Sequence, residues 1–182
     1  VELGDTHTHV WGDVDYLPSG VPDIDAILVH EDLACFNIEV KAVPLDAVEE
    51  FGLKVCQIRG RNGGHHPVLQ AGRAVTGLVA YVGTTANVRA PFFFATAAFP
   101  LIKRSEFVAR FSAAPVRLQA EGMIFADDLV SSDALLGRLQ TIRVSPPHKG
   151  SPRRDIAPTP VQVKALLEVL DPGSRPAPTR AD

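Results

Sequence analysis

The stretch PDIDAILVHEDLACFNIEVKAV, Pro22 to Val43, alternates apolar and polar positions on either side of a short polar break. The runs IDAILVH and ACFNIEVKAV are rich in β-branched and aliphatic residues, which suit a pleated strand, and Glu31-Asp32-Leu33 is short enough to join them as an antiparallel hairpin. With that loop, residues whose numbers sum to 64 stand opposite one another, so Asp25 faces Glu39 and Asp23 faces Lys41. Ile24, Ala26, Leu28, Phe36, Ile38 and Val40 are expected to share the other face. A slip of one residue would set each strand's apolar positions against its partner's polar ones, so the pattern itself favours this register.

The same reading predicts the other elements. Thr6 to Trp11 forms a short strand, followed by a turn-rich segment, GDVDYLPSGVPD. Beyond a loop of glycine and basic residues, QIRGRNGGHH, apolar residues at Leu69, Ala71, Val75, Leu78, Val79 and Val82 have helical spacing. Pro67 suits the first turn of that helix, which runs to Val82. Ala90 to Phe99 is a strongly apolar buried strand, VRLQAEGMIF holds another, and a Ser-capped helix covers Ser132 to Thr141. Five prolines and clustered charge make 145–160 a linker, and Val161 to Leu170 has a short helical pattern. The expected organisation is a domain over 1–144, the linker, and a helix with a disordered tail over 161–182 that opens a following domain. Hairpin, helix and further strands together indicate an α/β or α+β domain, with α/β the expected class.

Composition narrows the function classes. A chain of 182 residues, 46% of them apolar, can bury a real core. A net charge of −3 gives no global electrostatic case for nucleic acid, so such a partner requires a local basic patch. Cys35 and Cys56 lack C-x-x-C spacing and read as core residues of a cytoplasmic protein. The longest apolar run, Ala90 to Ile102, is cut by Pro91 and Pro100 and is too short to cross a bilayer.

Two constellations carry chemistry. In GDTHTHVWGD, Asp5, His7 and His9 have the look of zinc ligands and resemble the opening of the amidohydrolase barrels. That fold needs about 250 residues, and the remaining histidines, His30, His65, His66 and His148, supply no matching set. The zinc enzyme is therefore the weaker expectation. The hairpin register gathers three carboxyl groups and one ammonium. Opposed Cβ atoms lie roughly 4.5–5.5 Å apart, a spacing that a divalent cation can bridge through carboxylate oxygens. Such a cation also removes the like-charge conflict between Asp25 and Glu39. Oxygen ligands suit Mg²⁺ or Mn²⁺, metals of phosphoryl transfer, and Lys41 on the same face can orient water or stabilise developing charge.

PDIDAILV, FNIEVKAV and HPVLQA, in that order, resemble the nuclease-related domain called NERD, within the PD-(D/E)XK nuclease superfamily. The resemblance covers roughly residues 6–100. It implies a restriction-endonuclease-like mixed β-sheet core flanked by helices and a Mg²⁺- or Mn²⁺-dependent nuclease acting on DNA in DNA processing or repair. By position, Asp25 and Glu39, with Val40, hold the metal, Lys41 is the catalytic lysine and Gln70 is the helix glutamine beside them. Lys54, Arg59, Arg61, His65 and His66 are the expected phosphate contacts. Members are often joined to helicase modules, and TPVQVKALLEVL resembles the entry to one. Members also carry a glutamate-bearing helix before the first strand, where this chain has only Val1 to Asp5. The alternative reading is a nuclease-fold module that binds nucleic acid or a protein without cleaving.

Overall fold

Three strands, β1 (Thr8–Val14), β2 (Ile24–His30) and β3 (Ala34–Val40), form an antiparallel meander in a computed structural model that describes residues 7–15, 17, 22–144 and 157–170. Asp5, His148, most of the expected linker and the tail from 171 lie outside the described residues. The β2–β3 register is the predicted one, from Ala26 opposite Ile38 to His30 opposite Ala34.

After β3 the chain makes a small hairpin of β4 (Val48–Phe51) and β5 (Cys56–Ile58), then helix α1 (Pro67–Thr85). Strand β6 (Phe93–Phe99) returns parallel to β3, with Cys35 opposite Phe93 and Val40 opposite Ala98. Helices α2 (Arg104–Arg110) and α3 (Ala114–Glu121) precede β7 (Ile124–Phe125), which adds in parallel to β6. The result is a mixed five-stranded sheet in the order β1-β2-β3-β6-β7. A parallel return needs a crossover, and α1 supplies it.

Helices cover both faces of the sheet. Leu28, Phe36, Ile38, Phe94 and Ala98 pack against Leu135, Leu139 and Ile142 of α4 (Ser132–Val144). On the opposite face, Ile27, Val29, Cys35 and Phe93 pack against Ala74, Leu78 and Val82 of α1. The chain is therefore α/β, and the hairpin is buried on two sides. A third cluster, around Phe51, Phe99, Phe107 and Phe125, joins the β4–β5 hairpin to α2 and α3 beyond the end of β6.

Some expectations give way. Ile24 packs with Val14 in the α1-side cluster instead of sharing a face with Leu28, beside the point where β1 departs from regular pleating at Asp13, whose φ is 50°. VRLQAEGMIF is mostly helix α3, with only Ile124–Phe125 extended. Its start fits Pro115 in the first turn, and Val116 and Ala120 are buried one turn apart. Helix α5 (Pro160–Leu170), expected beyond the linker, packs on this same core through Val163, Leu166 and Leu170. Gln162 Nε2 ties it to the α1–β6 loop by donating to the Arg89 carbonyl at 2.9 Å. Among the described residues no helix is long and apolar enough to cross a membrane.

Candidate active site

Asp25, at the start of β2, reaches across the end of the hairpin. Its Oδ2 accepts a hydrogen bond from the Val40 backbone N–H at 2.6 Å, just beyond the last ladder pair with β3. Glu39, on β3, lies with its Oε1 against the Lys41 ammonium. The Lys41 side chain is nearly buried, 9% exposed, and its backbone N–H donates to the Ala98 carbonyl of β6 at 2.8 Å. The β2–β3 hairpin thus brings Asp25, Glu39, Val40 and Lys41 to the carboxyl end of the parallel pair β3–β6, where open α/β sheets commonly bind ligands.

Helix α1 runs back along the sheet from this same end. Asn37 of β3, 1% exposed, donates from Nδ2 to the Ala71 carbonyl of α1 at 2.8 Å and sets the height of the helix against the strand. A cleft of about 420 Å³ lies between them, lined by Asp23, Asp25, Glu39, His65, Gln70 and Arg73. A smaller neighbouring cleft of about 160 Å³ shares His65 and Gln70 and adds Lys41, Asn62 and Arg61. The loop before α1 depends on Gly64, where a Cβ would stand 2.7 Å from Val55 Cγ2 and 3.1 Å from Gln57 Oε1. Only glycine allows the chain to lie this close to β5 and present His65 to the cleft.

The predicted phosphate contacts divide. His65 and Arg61 line the clefts. Arg59 is held elsewhere by Asp46 and Glu49, at 3.6 and 3.5 Å, and Lys54 sits exposed in the β4–β5 turn; neither lines a cleft. His66 is a correction. It is 2% exposed, its ring lies 4.9 Å from that of Phe51, and neither ring nitrogen has a hydrogen-bond partner. Burial holds its pKa below the usual imidazole range, opposed by nearby Gln119. The ring lines neither cleft and borders a separate apolar pocket with Leu53, Val68 and Gln119.

Arg73 and Asn37 were not anticipated from the sequence. Arg73 follows Gln70 by three positions, so helical periodicity alone would have put both on one face. Asn37 is a polar residue between the apolar Phe36 and Ile38 of a buried strand, a signal for a buried hydrogen bond.

His7 and His9 lie elsewhere. They contact Glu31 at 3.5 and 3.0 Å, beside the edge strand β1, and chiefly the His9 contact holds the Glu31 carboxyl below its usual range. The two thiols are inert. Burial pushes Cys35 up to about 12, and Cys56 up to about 11 against the opposing charge of Lys41.

The donor set around the cleft can be tested against a hard divalent cation. Asp25 Oδ1 and Glu39 Oε2 make no hydrogen bond or ion pair with another described residue, so each carboxylate keeps an oxygen for a ligand. Two carboxylates in one open cleft fit Mg²⁺ or Mn²⁺, which retain several waters and need few protein oxygens. No group of three or more His, Cys, Asp or Glu among the described residues is placed to hold a metal. No family model, curated protein or solved structure matches the chain.

Proposed function

We propose that this domain is a metal-dependent nuclease of restriction-endonuclease-like fold, hydrolysing phosphodiester bonds in nucleic acid, with DNA as substrate. The observation that carries the reading is the meeting of Asp25, Glu39, Lys41 and Gln70 at one sheet end. A mixed sheet flanked by helices, the coarse arrangement that the NERD-like motifs imply, supports the reading.

Asp25 and Glu39 are the residues to hold Mg²⁺ or Mn²⁺, with Val40 between Glu39 and Lys41. A bound ion supplies a Lewis acid and lowers the pKa of a coordinated water. Lys41, already cationic company for Glu39, orients the attacking water or donates to a phosphate oxygen as negative charge develops there. Gln70 offers an amide to the same region, and His65 and Arg61 hold the phosphates alongside. A helicase partner and a role in DNA repair belong to the same proposal and rest on the resemblance.

One observation favours a second reading, a module that binds without cutting: although Asp23, Asp25, Glu39 and His65 all line the cleft, no three of them among the described residues are grouped to hold a metal. Incubating plasmid and single-stranded DNA with the protein and Mg²⁺ or Mn²⁺ separates the two. Cleavage that is lost in Glu39→Ala and in Lys41→Ala supports the enzyme. DNA binding without metal-dependent cleavage establishes the module, and neither binding nor cleavage overturns both.

A further inference from the structure

Several cations of this domain are already engaged. Arg104 and Arg138 share Asp128 at 2.6 and 2.9 Å, Arg59 is held by Asp46 and Glu49, and Lys41 is held by Glu39. Arg73 differs. It is exposed, lines the larger cleft with Asp23, Asp25 and Glu39, and makes no ion pair or side-chain hydrogen bond with another described residue. It stands on α1, whose position against β3 is set by the buried Asn37–Ala71 bond one turn from the cleft, so its backbone is firmly placed.

Arg61 lines only the smaller cleft, with Lys41, while Arg73 lines only the larger, with the carboxylates. His65 and Gln70 are common to both, so the two cations stand in adjoining clefts, Arg73 with the carboxylates and Arg61 with Lys41. A phosphodiester chain carries its charges at regular intervals, and a strand with one phosphate at Glu39 and Lys41 has neighbouring phosphates to either side. Guanidinium is the group best shaped for them, because its planar fork makes two parallel hydrogen bonds to one phosphate.

Resting on the nuclease reading, we propose that Arg73 binds the phosphate next to the scissile one, in the cleft of the carboxylates, while Arg61 serves the adjoining cleft, and so sets the path of the strand. A guanidinium that served only to offset Asp25 and Glu39 would act through its charge alone, and lysine would replace it fully.

The test is the salt dependence of binding. A fluorescent single-stranded oligodeoxynucleotide is titrated with the full chain in EDTA, which prevents cutting, and anisotropy is read at several salt concentrations. Arg73→Gln is expected to weaken binding by about tenfold at low salt. It should also reduce the slope of log affinity against log salt by about 0.7, the signature of one lost phosphate contact on a single strand. Arg73→Lys, which keeps the charge, should restore the slope while regaining only part of the affinity. Unchanged affinity and slope in Arg73→Gln, with wild type binding and cutting DNA, overturns the Arg73 assignment alone. Wild-type protein that neither binds nor cuts overturns the nuclease reading and this assignment with it.

Discussion

At the scale of single residues, the candidate site depends on how each carboxylate is occupied. Asp25 spends one oxygen on the Val40 amide and Glu39 spends one on Lys41, so the protein orients both groups and leaves each an oxygen without a partner among the described residues. His66 shows the opposite use of an ionisable side chain. Its folded pKa lies below the ordinary value of 6.5, so below that pH the unfolded chain binds the proton more readily than the native state. The stability that depends on His66 is complete above its unfolded pKa and is lost as pH falls below it. Melting temperature should therefore fall between about pH 7 and pH 5, and His66→Phe should flatten that fall. An equal pH dependence in the variant would remove His66 as its source.

At the scale of elements, the site is a junction of β3 and α1, and the far edge of the sheet depends on how the last strand is held. Asp128, 7% exposed, joins Arg104 and Arg138 and also accepts from the Phe125 N–H at 2.8 Å, fastening α2, β7 and α4 together. The Arg104 guanidinium also lies over the Phe125 ring, 4.6 Å from its centroid. Removing the carboxylate strands two partly buried guanidinium groups. Asp128→Ala should cost about 3 kcal/mol in urea denaturation, while Asp127→Ala, at an exposed neighbour, should cost far less. Similar losses in both would show that the ion cluster does not hold these elements.

At the scale of the whole molecule, α5 closes the α1 side of the core. Leu166 and Leu170 are fully buried there, although the segment follows a proline-rich stretch that reads as the boundary of the domain. Leu166→Ala should lower the stability of the entire unit by about 3 kcal/mol. Circular dichroism and Trp11 fluorescence should report it as a single shared transition. A variant in which α5 melts alone, leaving the rest at wild-type stability, would return α5 to a separate unit.

Much of this was legible along the chain, and the division has a physical basis. The hairpin register followed from period-two alternation and a short loop, because both are local and a slip would cost every apolar contact at once. That register placed Asp25, Glu39 and Lys41 at one end of two paired strands. Helix α1 was legible from its repeat, whereas α3 was read as a strand because apolar residues in so short a run fit either period. The tertiary structure alone decided that α1 would set Gln70 and Arg73 beside Glu39, that His65 would face the cleft while His66 turned inward, and that α5 would join the core. Those outcomes depend on packing between segments far apart in sequence. Residue order carries such proximity only through the fold.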